Sequence, residues 1–121
     1  MTSRLPRLLA AAGAACFLLG ACAGGSGSTK SPAATARAAV TVKDFAFGPK
    51  TISVRTGGTV TWTNKDSFDH AIQIDSVGLN GPHFGPQTAP LAYSHRFTQP
   101  GTYAYICGIH NSMTGTVVVT Q

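Results

Sequence analysis

The stretch Thr102-Tyr103-Ala104-Tyr105-Ile106-Cys107, continuing into Gly108-Ile109-His110-Asn111-Ser112-Met113, decides the reading of this chain. Its first half alternates with period two, so that Tyr103, Tyr105 and Cys107 share one face of a strand and Ala104 and Ile106 the other. Its second half is a short loop carrying an imidazole and a thioether within reach of the thiol at the strand end. A soft thiolate and thioether together with imidazole suit copper, and a mononuclear electron-transfer copper site is built from Cys, two His and a weak, long Met contact. One further histidine, upstream of this stretch, is therefore required.

Outward from it the period-two pattern repeats. After the loop, Gly115 releases the chain into Thr116 to Thr120, with Val117 and Val119 opposed to Val118. Before it, Gln99-Pro100-Gly101 turns the chain, and Leu91 to Phe97 places Tyr93, His95 and Phe97 on one side, with His95 read as an aromatic in packing. Val60 and Trp62 face inward in Thr59 to Thr63, Ile52 and Val54 share a face, and Ala39 to Val42 forms a first strand. Thr56-Gly57-Gly58 reads as a hairpin-like turn. Seven or eight short strands without helical periodicity predict an all-β chain, a Greek-key β-sandwich. Trp62, Phe45, Phe47, Phe97, Tyr103 and the valines are its expected core. The Gly- and Pro-rich segment 76–90 reads as an irregular loop, and His83 within it as solvated.

The spacing C-x2-H-x2-M followed by Thr114-Gly115-Thr116-Val117-Val118-Val119 resembles the ligand loop of the cupredoxins, the plastocyanin, pseudoazurin and amicyanin family of small blue copper proteins, with a loop length most like amicyanin. The resemblance extends through Val42-Lys43-Asp44-Phe45-Ala46-Phe47, Thr59-Val60-Thr61-Trp62-Thr63-Asn64-Lys65-Asp66 and Pro100-Gly101-Thr102-Tyr103, and so covers residues 39–121. It implies that the upstream ligand is His70, which shares parity with Ile72 and Ile74 and so points inward. The implied metal set is His70, Cys107, His110 and Met113, holding one copper per chain. The implied electron-transfer surface is His110 with Ile109, Phe68 and Phe84 around it. Three departures stand out. Gly108-Ile109 lacks the proline that often precedes the ligand histidine, Ala71 replaces the asparagine that ties the two ligand loops in plastocyanins, and Ile106 stands where plastocyanin has an exposed tyrosine.

The N-terminal part has a different character. Arg4 and Arg7 precede the apolar run Leu8 to Leu19, too short to span a membrane, and Leu19-Gly20-Ala21-Cys22 resembles a bacterial lipobox. Residues 1–21 thus read as a lipoprotein signal peptide and Cys22 as the lipid attachment site. Residues 22–38 read as a flexible Gly/Ser/Ala tether, whose sixteen residues after Cys22 average some 20–25 Å in reach. The domain itself is residues 39–121. Of the three cysteines, Cys16 leaves with the signal and Cys22 takes lipid, so Cys107 is the free thiol of the mature chain.

The formal charge of +5 shrinks once the signal and tether are set aside, leaving five basic and four acidic residues in the domain. With no basic stripe carrying interleaved aromatics, nucleic acid is excluded. An oxidase or nitrite reductase needs a further metal with several histidines, so an enzyme is not expected. The expected function is a membrane-tethered, monomeric one-electron carrier between redox protein partners, lipid-anchored at the outer face of a bacterial cytoplasmic membrane or in the periplasm. The alternative is a copper-buffering or copper-delivery lipoprotein. Met1 and Met113 are the only methionines, which disfavours the Met-rich tails of copper trafficking.

Overall fold

The computed structural model describes residues 34–121; the signal peptide, Cys22 and most of the tether lie outside the described residues. Eight strands follow one another: β1 (Thr35–Lys43), β2 (Ala46–Gly48), β3 (Thr51–Asn64), β4 (Ile72–Ile74), β5 (Leu79–Asn80), β6 (Ala92–Arg96), β7 (Gly101–Cys107) and β8 (Thr114–Thr120). A 3-10 turn, Asp75–Val77, joins β4 to β5. The order β2-β1-β3-β8-β7-β4-β5, with β6 also on β3, makes one mixed assembly in which β1 and β8 run parallel to β3 and the other pairs are antiparallel. The all-β expectation holds.

β3 explains how one run of strands becomes two layers. Its first part, Thr51 to Arg55, pairs with β8, whereas Thr59 to Thr63 pairs with β6 and with β1. Thr56-Gly57-Gly58 is therefore not a hairpin turn, as its composition suggested, but the bend by which one strand passes between layers. Gly57 takes φ +83° there, and its amide donates to the Phe97 carbonyl at 2.6 Å. A side chain at Gly58 would come within 2.7 Å of the Arg55 carbonyl oxygen. Two glycines meet both demands, a positive φ and a close backbone approach.

The first strand is longer than expected. Pairing with β3 begins at Thr35, four residues inside the segment read as tether, and the Arg55 Nε–H holds the Ala34 carbonyl at 3.1 Å. Thr35, Ala36 and Arg37 are all exposed, so backbone hydrogen bonds rather than burial recruit them, and hydrophobic patterning carries no trace of that.

Between the layers lie Val40, Val42, Val54, Val60, Trp62, Ile72, Ile74, Tyr105 and Val117, all essentially without solvent contact. Each such valine or isoleucine contributes roughly 1.5–3 kcal/mol relative to exposure. Trp62 from β3 meets Tyr105 from β7 edge-on at 5.4 Å, and Phe47 from β2 meets the same ring at 4.8 Å. Burial pushes the Tyr105 phenol up to about 12, so it stays neutral. Gly115, opposite Tyr105 in the β7–β8 register, leaves the room that this ring occupies.

Phe45 departs from its expected place in the core. Lys43 pairs with Ala46, so Asp44 and Phe45 form a two-residue hairpin turn, both at positive φ (53° and 56°), and the Phe45 ring is 46% exposed. Its parity with Phe47 suggested burial; the turn between them breaks that parity.

Candidate metal centre

β7 delivers its last inward residue, Cys107, to the end of the sandwich, beside Ile72 of β4. The thiol is fully buried. The loop then doubles back: the Met113 amide donates to the His110 carbonyl and the Cys107 amide to the Met113 carbonyl, both at 3.0 Å. Met113 is thereby drawn inward to 2% exposure, while His110 stays half-buried at the rim.

His70 arrives from the other side. It precedes β4 and forms an antiparallel bridge with Phe84, the His70 amide donating to the Phe84 carbonyl at 3.1 Å and the Phe84 amide returning the bond at 2.8 Å. The loop between β5 and β6, which composition left irregular, thus contributes a wall behind the histidine. Phe84 is 1% exposed and so does not belong to the electron-transfer surface where the sequence placed it. The tie between ligand segments that Ala71 was expected to lack is made by backbone, the Gly108 amide donating to the Ala71 carbonyl at 3.1 Å.

Three donor atoms converge. The Cys107 Sγ lies 3.7 Å from Nδ1 of His70 and 3.7 Å from Nδ1 of His110, and the two Nδ1 atoms are 3.3 Å apart. Thiolate and imidazole ligands bind a tetrahedral ion at roughly 2.0–2.3 Å, which separates neighbouring donors by about 3.3–3.7 Å. The donor set therefore fits a single metal ion, and these three are the one such group of His, Cys, Asp or Glu side chains among the described residues. His83 is exposed in its loop, and His95 packs edge-on against Phe97 at 4.8 Å, away from the site. Burial holds His95 below the ordinary histidine range.

Around the centre, Ile109 and Phe68 are exposed at 41% and 53%, as expected. Phe45 joins them, its ring 5.5 Å from Phe68, 5.8 Å from His70 and 5.0 Å from His110. Sequence reasoning missed this role; Asp44 between two alternating runs was the available turn signal. It also missed Asp66, whose carboxylate accepts the Nε2–H of His70 at 2.9 Å. Burial alone would raise the Asp66 carboxyl, but hydrogen bonds from the Phe45 and Asp44 amides, and from His70, outweigh it and hold the group below the usual carboxylate range. Asn64 braces the same segment, its Nδ2 donating to the carbonyls of Phe68 and Phe84 and its Oδ1 accepting the Asp66 amide.

Residues 9–119 match the family of cupredoxin-like domains. The chain is 35% identical over 82 residues to amicyanin-alpha of Methylorubrum extorquens, covering 66% of this chain and 69% of that protein. To amicyanin of Paracoccus denitrificans it is 33% identical over 101 residues, 75% of each chain, and to plastocyanin of Scenedesmus fuscus 36% over 83 residues, 60% of this chain and 85% of that one. Among solved structures, a reduced Cu(I) form of an amicyanin variant at pH 4 superposes with a TM-score of 0.62 at 33% identity, covering 71% of this chain and 84% of that one. An oxidised amicyanin variant gives 0.63 at 31%, covering 69% and 82%.

Proposed function

The chain belongs to the cupredoxin-like family, and from that premise we propose that it is a mononuclear blue copper protein that carries single electrons between redox protein partners. The observation that carries this reading is the approach of one buried sulfur and two imidazole Nδ1 atoms to within 3.3–3.7 Å of one another. His70, Cys107 and His110 are the proposed strong ligands of one copper ion, with Met113 as the weak one. Bound there, copper supplies a one-electron couple between Cu(I) and Cu(II).

The protein's own part is to hold the donors. Cys107 and His70 are fixed by strand pairing and by bridges to β4 and Phe84, so the site keeps its shape whichever oxidation state occupies it. His110 is the ligand that reaches the rim, and Phe45, Phe68 and Ile109 surround it with apolar surface on which a partner can dock without water between the two centres. A carrier of this design binds no substrate and is not an enzyme. The same reading has a monomer, lipid-anchored through Cys22 and a tether, at the outer face of the bacterial cytoplasmic membrane or in the periplasm, as the lipobox-like Leu19-Gly20-Ala21-Cys22 supports.

The copper-loaded, oxidised protein is expected to show an intense visible thiolate-to-Cu(II) band that Cys107→Ser abolishes. A fully loaded wild type without that band overturns the assignment. Cell fractionation of wild type and Cys22→Ser tests the anchor: equal partitioning into the aqueous phase removes it. Copper retained through repeated redox cycles in the presence of a chelator separates a carrier from a copper donor, which surrenders its ion.

A further inference from the structure

Asp66 sits behind the metal centre and touches both halves of its surroundings. Its Oδ2 accepts the Nε2–H of His70 at 2.9 Å and the Phe45 amide at 3.1 Å, while its Oδ1 accepts the Asp44 amide at 2.6 Å. The carboxylate is 9% exposed and His70 not at all. Asp44 and Phe45 both stand in the left-handed region, which a bulky L residue such as phenylalanine occupies only when its surroundings hold it there. Two amide hydrogen bonds into one carboxylate are such a hold. Their consequence is the placement of the Phe45 ring edge-to-face on His110 and against His70.

We propose that Asp66 is a positioning residue for both copper-binding histidines: it orients His70 directly and restrains His110 through the turn that carries Phe45. This rests on the reading of the site as a copper centre. Because a carboxylate only accepts, the hydrogen between it and His70 belongs to Nε2, which leaves the Nδ1 lone pair directed at Cys107 and His110. Metal-bound histidines are held in this manner by a partner on the other ring nitrogen. The added feature here is that the same carboxylate takes two backbone donors 21 and 22 residues away in sequence, so the orientation of one ligand and the cover over the other are set by one group. An asparagine of the same shape cannot replace it, since its amide nitrogen turns a donor toward donors.

The test uses the full chain labelled with nitrogen-15, first without copper. In the wild type, His70 is expected as the Nε2–H tautomer, and the Asp44 and Phe45 amides are expected to be protected from hydrogen exchange. In Asp66→Asn that protection falls and the His70 tautomers mix. Titration with Cu(I) then shows affinity about 10–100-fold weaker than wild type, and the oxidised protein shows a shifted visible band and altered electron paramagnetic resonance signature. Phe45→Gly keeps the His70 tautomer but releases copper faster than wild type. The proposal is overturned if wild-type His70 carries its proton on Nδ1. It is equally overturned if Asp66→Asn lowers thermal stability while amide exchange, affinity and spectra stay as in wild type. Should Asp66→Asn fail to fold, the wild-type tautomer and exchange pattern decide alone. These metal-free readouts stand whether or not the wild type develops a blue band, so failure of the copper reading is recognised separately.

Discussion

The Phe45 ring meets the His110 ring edge to face, with centroids 5.0 Å apart and planes at 89°. This pair joins two elements with no strand pairing between them, the β1–β2 turn and the loop after β7. The turn holds Phe45 at a backbone angle that disfavours it, and the ring stays 46% exposed. Neither backbone preference nor burial accounts for a phenylalanine there; contact with the histidine does.

Replacing Phe45 by glycine separates these terms. Relief of the left-handed conformation contributes about 1–2 kcal/mol, and loss of a half-exposed ring costs a similar amount. Urea unfolding of the metal-free protein is therefore expected within about 1 kcal/mol of wild type. Loss of an aromatic contact worth about 0.5–1.5 kcal/mol should speed copper release to a chelator roughly two- to tenfold. A large fall in stability with an unchanged release rate would contradict this.

Asn64→Ala removes three hydrogen bonds from a side chain that is 3% exposed, taking a partner from the Phe68 carbonyl and the Asp66 amide and leaving the Phe84 carbonyl with the His70 amide alone. A loss of about 2–3 kcal/mol is expected. It should appear as a lower urea midpoint with unchanged slope.

Gly115→Ala places a methyl group 2.3 Å from Cζ of Tyr105, in collision with the hydroxyl end of its ring. Overpacking of this kind costs about 1–3 kcal/mol, and more where backbone pairing blocks relaxation. In combination with Tyr105→Leu the loss should be smaller than the sum of the two single changes, because the clash and its partner are removed together. Simple additivity in denaturation experiments would count against the contact.

His95 should make stability fall in mild acid. Burial against Phe97 holds its folded value below the unfolded one of about 6.5, so both states are neutral above that and the contribution is complete. As pH falls through about 6.5 toward the lower folded value, the unfolded chain takes up the proton first and stability declines. His95→Phe should flatten that part of the curve, as measured by urea midpoints between about pH 7 and pH 5. An identical acid limb in the variant would place the titrating group elsewhere.

The centre was legible because its parts are local: alternation over β7 orients Cys107, and three of the four proposed ligands lie within seven residues. What escaped the sequence is non-local. Phe45 and Phe84 exchange roles, since Phe45 shares parity with Phe47 but stands on a turn, and Phe84 sits in a glycine- and proline-rich segment but is drawn in by its bridge to His70. Asp66 reads as one more surface charge, because its partners at Asp44 and Phe45 meet it only once β1 and β3 have paired. The bend at Gly57-Gly58 has the composition of a hairpin, and only the two sets of partners along β3 distinguish it.

The direction of β1 has a bearing on how the molecule stands. The strand begins at Thr35 opposite Val54 and arrives beside the histidines only at its other end, where Val42 pairs with Asn64. At about 3.3 Å per residue, its nine residues cover about 30 Å. The polypeptide upstream of Ala34 thus joins the pole remote from His110. A lipid mooring attached through that segment would leave the aromatic rim clear of its own attachment point and open to partners, whereas attachment at the other pole would crowd the same rim with the tether.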